Sequence, residues 1–453
     1  MILFYFIKFF LMEILFSLIL SIFLFYIQCD LVVLNFDRIK DIYSDEDDQV
    51  SLNILKNEIY CNMTVGNQII PFYISFDKEL TFILQNNYTF SKYNTKKSKT
   101  FQQKSEKMNN YVFDYLQLGF NASDTFKLKN EDNKNIQVSD MPFILGTYLN
   151  PTSNFNFSAQ LGLKKKTYQN PQIFNFIENL KLKRIINSQV FFFKFDEEGR
   201  GKIIIGSYPH EFDDNYDAKY LIQSSSLEMG TSNNWFLKCN YFFYGENKTD
   251  IQKQISELSP DKGMIILNLQ IEKIIYELFF KKLIEEKKCV RIKVEFSYNY
   301  ICLDDIDINT FKNITFRHIG MEYDFILEPK DLFYHYYDRY FFLISFKDSF
   351  YIYLGKPFFK KFNLIFNQDS KQLAIYSYVE MTNNKRIQKI NVYIPVILII
   401  IFAILVCIFI YVLHSYRLKK TRKNEIIENY DYTPNYTPNK TKDTKLLLEM
   451  KVS

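Results

Sequence analysis

The stretch "YCNMTVGNQIIPFYISFDKELTFIL", Tyr60 to Leu84, decides the fold. It reads as a strand, a Val65-Gly66 turn, a second strand over Ile69 to Phe76, an acidic residue at Asp77, and an apolar run over Thr81 to Leu84. Runs of Ile, Phe, Tyr and Val bounded by polar or Gly-containing turns are strand signals. The same pattern recurs outward from this stretch, at Val190 to Phe195, Lys202 to Ile205 and Tyr351 to Leu354. Two stretches read as helices. One is Pro171 to Leu182. The other is Leu269 to Leu283, where Ile271, Ile274, Ile275, Leu278 and Phe279 recur at helical spacing. A mainly β chain with few helices, over roughly 320 residues, implies a large β fold of two lobes.

Further segments fall in a fixed order. "YNTKKSKTF" spans Tyr93 to Phe101, and "AQLGL" spans Ala159 to Leu163. "NSQVFFFKFDEEGRGKIIIGSYPHEF" spans Asn187 to Phe212, as strand, acidic turn, strand, Gly and Tyr. Trp235 opens a strand, Asp261 follows it, and "YLGKPFFKKFNLIFNQDSKQLAIY" closes the series from Tyr353 to Tyr376. In this order the segments, over about residues 57 to 378, resemble the pepsin-like aspartic protease family. The resemblance implies a bilobal double β-barrel, with residues 57–206 as N-terminal lobe and 207–380 as C-terminal lobe. It places the two catalytic aspartates at Asp77 and Asp261 and a flap tyrosine at Tyr111, within "NNYVFDYLQLG", Asn109 to Gly119.

Aspartic proteolysis needs two carboxylates about 3 Å apart that share one proton and hold a water. One acts as base towards the water and the other as acid towards the substrate carbonyl. Close like charges keep one of the two protonated. Both aspartates are present, but the family's Asp-Thr-Gly is replaced by Asp77-Lys78-Glu79 and by Asp261-Lys262-Gly263. A threonine can bond across the lobes. A lysine cannot accept a hydrogen bond, costs several kcal/mol to bury unpaired, and favours ionisation of both carboxylates. Glu79 replaces a glycine in a tight turn. Met264 and Ile265 stand where hydroxyl residues are usual, Pro260 lacks an N–H, and the flap lacks its Gly-Thr-Gly tip.

The two ends of the chain carry apolar runs. Ile14 to Ile27 is broken only by Ser17 and Ser21. At roughly 21 Å as a helix it suits a signal peptide over residues 1–29, with Lys8 before it and Cys29 at the cleavage point. An uncleaved anchor is the rival reading, and Met12 is an alternative start. Val392 to Leu413 is twenty-two residues without a charge, with Pro395 in its first turn. Arg417, Lys419, Lys420, Arg422 and Lys423 follow at once and mark a cytoplasmic flank. This predicts a single-pass type I membrane protein of the secretory pathway, cell surface or endolysosome. Residues 30–56 would be a short prosegment or N-terminal arm, 381–391 a stalk, 392–413 the transmembrane helix and 414–453 a cytoplasmic tail. The tail holds "YTPNYTPN" (Tyr432 to Asn439) and "DTKLLL" (Asp443 to Leu448), the latter fitting an acidic dileucine sorting pattern.

Setting aside Cys29 and Cys407, the ectodomain holds Cys61, Cys239, Cys289 and Cys302, an even number in an oxidising space. Four cysteines allow three connectivities. The family resemblance implies Cys289–Cys302, leaving Cys61 with Cys239. Sequons at Asn87, Asn121, Asn156, Asn247 and Asn313 are glycosylation candidates, and a sixth at Asn62 falls in a predicted strand. His210, His318, His335 and His414 lack zinc spacing, and no phosphate-loop or Gly-x-Ser-x-Gly pattern occurs, so no metal and no cofactor are expected. The net charge of +5 gives no reason to expect a nucleic-acid partner. The reading is a monomeric, membrane-anchored aspartic-protease fold with impaired or absent peptidase activity and a cleft that takes a peptide or protein. An active membrane-anchored endopeptidase and a surface antigen or adhesin are the alternatives.

Overall fold

The computed structural model describes residue 13 and residues 31–38, 46–55, 58–76, 78–85, 91–106, 109–110, 116–149, 157–164, 175–224, 235–377, 410–413 and 415–418. The chain divides into two compact units, Met1–Met381 and Thr382–Ser453.

The first unit is built on two sheets, one of 14 strands and one of 11 among the described residues. Local chemistry explains the strands that open the first sheet. Along Ile59–Val65 the buried residues alternate, Ile59, Cys61, Met63 and Val65, so one face enters the core. The Gly66-Asn67 turn joins it to Gln68–Ser75, and both residues have positive φ, as a two-residue hairpin with right-handed twist requires. A β-carbon on Gly66 would lie 2.2 Å from Ser98 Oγ and 2.3 Å from Asp124 Oδ2. The glycine is therefore needed twice, for its conformation and for this close approach. Asp124 is buried and accepts hydrogen bonds from Tyr93 Oη, Ser98 Oγ and Thr100 Oγ1. Those bonds fasten the segment "YNTKKSKTF" to the strand Leu116–Lys129.

Each lobe repeats one arrangement of parallel strands. In the first, Gln68–Ser75 runs parallel to Ala159–Gly162, and Phe82–Leu84 parallel to Asn135–Leu149. In the second, Ile265–Asn268 runs parallel to Ile344–Lys347, and Asn247–Leu258 parallel to Tyr351–Leu354. The two motif loops, before Phe82 and before Ile265, occupy matching places in these arrangements. The closing strands Ile365–Asn367 and Gln372–Tyr376 return to the first sheet through Val190–Phe195.

The strand Val32–Arg38 pairs on one side with Gly201–Ile205 and on the other with Ile59–Val65. The helix Asp47–Leu55 buries Val50 and Ile54 against Met264, Ile301 and Phe341 of the second lobe. Residues 30–56, read from sequence as prosegment or arm, thus supply a doubly bonded strand and a helix packed on the other lobe.

The predicted helices are present in part. Phe176–Leu182 is capped by the Asn175 side chain, while 171–174 lie outside the described residues. Leu269–Ile275, capped by Asn268, widens into a π-turn over Tyr276–Phe280 and resumes as Lys281–Glu285. Phe280 stacks on Tyr300 at 4.0 Å, and the Tyr300 hydroxyl donates to the buried Glu272 carboxylate. Arg291 grips the same carboxylate with two bonds, so the buried charge is matched.

In the second unit, residues 410–413 and 415–418 are helical, with Ile410, Tyr411, Val412 and Leu413 exposed. No helix of the described residues is long and apolar enough to cross a membrane. The predicted span 392–413 falls, up to residue 409, outside the described residues, as do the predicted signal peptide except Glu13 and most of the tail.

Candidate active site

Asp261 sits on the loop between Asn247–Leu258 and Ile265–Asn268 and is 3% exposed. Pro260 cannot donate to a ladder, so the strand ends just before it. Ser259 N–H donates to Leu354 O (3.0 Å), and Lys262 N–H turns back to Ser259 O (2.9 Å). Gly263 N–H donates to Leu55 O (3.3 Å), the last residue of the arm helix. Met264, at a position where the family has a hydroxyl, is fully buried beneath Val50 and Ile54. Asn299 Nδ2 lies 3.4 Å from its sulfur.

The loop is held from the other side by "LGKPFF". A β-carbon on Gly355 would fall 2.1 Å from Met264 O and 2.8 Å from Lys262 O. Lys356 N–H donates to Lys262 O (2.7 Å). The first motif is clamped alike. A β-carbon on Gly162 would lie 2.6 Å from the Glu79 carbonyl, and Lys164 N–H donates to Lys78 O (3.0 Å). The glycines of "AQLGL" and "YLGKPFF" are thus spacers that let two backbones touch at each motif.

The two motif lysines are not enclosed: Lys78 and Lys262 are both half-buried. Among the described residues the buried lysine is Lys356, 6% exposed. Burial pushes its ammonium down to about 7, with Arg38 and Lys360 acting the same way and Asp261 opposing them. Its signal in the sequence was a lysine between Gly355 and Pro357, where the turn demands burial. Burial also lowers Lys347, and Lys262 adds to that shift. Asp77 and the flap residue Tyr111 lie outside the described residues.

The cysteines divide. Cys289 and Cys302 face one another across a hairpin, Cα to Cα 4.0 Å, and are bonded. Cys61 and Cys239 are free and buried, which corrects the expected second pair. Cys61 lies in Ile59–Val65 of the first sheet and Cys239 in Phe236–Tyr244 of the second, and both are buried in the hydrophobic core. Burial raises both thiols to about 12. Of the sequons, Asn247 and Asn313 are exposed at adjoining turns, where Gly245 N–H meets Asn313 O. Asn121 is half-buried within Leu116–Lys129, Asn62 is exposed on its strand, and Asn87 and Asn156 lie outside the described residues. His318 is enclosed between Phe316 and Phe325, and burial pushes its imidazole down to about 3. Among the described residues no three His, Cys, Asp or Glu side chains group to hold a metal. A groove of about 360 Å³ lies where Val32–Arg38, Ile59–Val65 and Leu116–Lys129 meet, lined by Asp37, Tyr60, Asn62, Lys127 and Arg200 among others and away from Asp261.

Solved structures resemble this one closely enough to settle the architecture. Basic 7S globulin from soybean aligns with a TM-score of 0.56 at 11% identity, covering 78% of this chain and 96% of that one. Conglutin gamma, a basic 7S globulin from lupine seeds, aligns with a TM-score of 0.57 at 9% identity, again over 78% and 96%. Both are pepsin-like, aspartic-protease-fold proteins. The chain has a pepsin-like fold. At these identities the likeness is one of fold alone. No family model matches the sequence, and no curated protein matches it.

Proposed function

We propose that this protein is a membrane-anchored pepsin-like ectodomain with impaired or absent peptidase activity, whose interlobe cleft binds a peptide or protein segment. The observation that carries the reading is the environment of Met264. The position after the second motif, where a hydroxyl would bond towards the dyad, holds a thioether sealed under the arm helix. With a lysine in place of the second threonine, the loop offers neither hydroxyl group for positioning a carboxylate and its water. Anchoring is supported by the exposed apolar helix at residues 410–413 and by the basic run that follows. The test is a cleavage assay on denatured protein from pH 3 to 7, with and without a statine-type inhibitor. No inhibitor-sensitive cleavage is expected. Inhibitor-sensitive cleavage that disappears in Asp261→Asn would establish the second reading, an active endopeptidase, which is favoured by the burial of Asp261 on its motif loop.

A further inference from the structure

The groove beside Asn62 comes from a change of strand partners. Val32–Arg38 pairs with Ile59–Val65 only from Phe36 to Arg38, and with Leu116–Lys129 only at Val33. Ile59–Val65 meets Leu116–Lys129 only at Thr64 and Val65. No pairing among the described residues joins Leu34 or Asn35 to Asn62, Met63 or Leu128, so the three strands part here. Each stays held on its other edge, by Gly201–Ile205, Gln68–Ser75 and Asn135–Leu149. The groove of about 360 Å³ is this gap.

Strand alternation decides what faces it. Ile59, Cys61, Met63 and Val65 turn into the core, which leaves Tyr60, Asn62 and Thr64 on the outer face. Asn62 is exposed, with Tyr60 and Thr64 half-buried on either side of it. The cations around the groove are already engaged: Lys127 by Asn67, Lys129 by the Asn133 carbonyl, and Arg200 by Asp196 and Glu198. A free anion would need cations without partners. One aromatic ring among hydrogen-bonding groups suits a sugar instead, whose C–H groups lie on a ring face while its hydroxyls take donors and acceptors.

The same outer face spells a sequon, Asn62-Met63-Thr64. A strand position argues against a glycan only where the neighbouring strands close over the side chain, and on one flank of Asn62 they part. We propose that Asn62 carries an N-linked glycan whose first sugars lie in this groove against the Tyr60 ring. The inference rests on the reading of an ectodomain in the secretory pathway. Transfer takes place on the unfolded chain. Asn62 Nδ2 attacks the anomeric carbon of an oligosaccharide carried on a lipid diphosphate. The N–C bond forms as the anomeric C–O bond breaks, the lipid diphosphate leaves, and one amide proton is lost to solvent. Folding then seats the stem of the glycan. The groove falls within the range of about 300–1,000 Å³ common to small-ligand sites.

The experiment uses the full chain, produced in animal cells and purified in detergent. Peptide-N-glycosidase in heavy-oxygen water converts each glycosylated asparagine to a labelled aspartate, which peptide mass spectrometry locates. On denatured protein, label is expected at position 62 in wild type and is lost in Thr64→Ala. On native protein, release at Asn62 should be at least about tenfold slower than at Asn247 and Asn313, which lie exposed at turns; tenfold corresponds to about 1.4 kcal/mol of contact. Tyr60→Ala should bring the native rate at Asn62 up to theirs without lowering occupancy. A bare Asn62 beside an occupied Asn247 or Asn313 overturns the proposal and leaves the ectodomain reading standing. Native release at Asn62 as fast as at those two, or unchanged by Tyr60→Ala, overturns the seating in the groove. Every sequon bare overturns the proposal and the ectodomain reading together. Should Tyr60→Ala not fold, the wild-type comparison decides alone.

Discussion

Gly355 shows how much one missing side chain can hold in place. Its neighbours are the carbonyls of Lys262 and Met264, and backbone cannot swing aside as a side-chain tip can. Gly355→Ala should therefore displace the whole Asp261 loop and cost roughly 2–4 kcal/mol, within the range of severe overpacking. Gly199→Ala is the useful contrast. It too is strained, because its φ is +80°, but its nearest contact is the Lys356 side chain at 3.4 Å. Urea denaturation of both variants checks the expectation. A Gly355→Ala loss below about 1 kcal/mol would mean that the loop is not clamped as described. The sequence displayed this glycine within "YLGKPFF" but not its use, which depends on a contact between residues about ninety positions apart.

At the level of elements, short strands were legible where their composition and their turns agreed. Val190–Phe195 and Tyr351–Leu354 fall where β-branched and aromatic runs predict them. The arm was harder to read. Asp47–Leu55 begins in an acidic cluster, and its buried apolar residues are Val50 and Ile54. That face has meaning only when Met264, Ile301 and Phe341 arrive from distant sequence. The cysteines teach the same lesson: counting suggested two pairs, but parity does not say that Cys61 and Cys239 lie in different sheets. An arm built into both lobes should not be removable without loss. Ile54→Ala should cost roughly 2–4 kcal/mol, as other buried aliphatic truncations do. Ile54→Asp should expose the second motif to limited proteolysis. Cleavage rates of Ile54→Asp equal to wild type would show that the helix is dispensable.

For the molecule as a whole, the buried ionisable groups agree on a direction. His318 is held neutral, pushed down to about 3 by burial. The unfolded chain takes up that proton below about pH 6.5, so the stability His318 allows is complete above pH 6.5 and is lost as pH falls towards 3, at up to about 1.4 kcal/mol per pH unit. Lys356 repeats this one window higher, with stability rising from about pH 7 towards 10.5. Acidic groups oppose it from above. Burial raises Cys61 and Cys239 to about 12, and Tyr244 and Tyr376 likewise. In the unfolded chain these groups lose their protons from about pH 9 or 10, so stability falls as pH climbs beyond that point. The curve should rise from pH 4 to a maximum near pH 9 and then drop. Replacing His318 with Leu, among Phe316 and Phe325, should flatten its acid limb alone, narrowing the gap between pH 4 and pH 7 by more than about 2 kcal/mol. A protein shaped for acid proteolysis would keep its stability at low pH. This one places two bases in its interior that weaken it there. A stability curve that is level from pH 4 to 9 would count against the buried-base account.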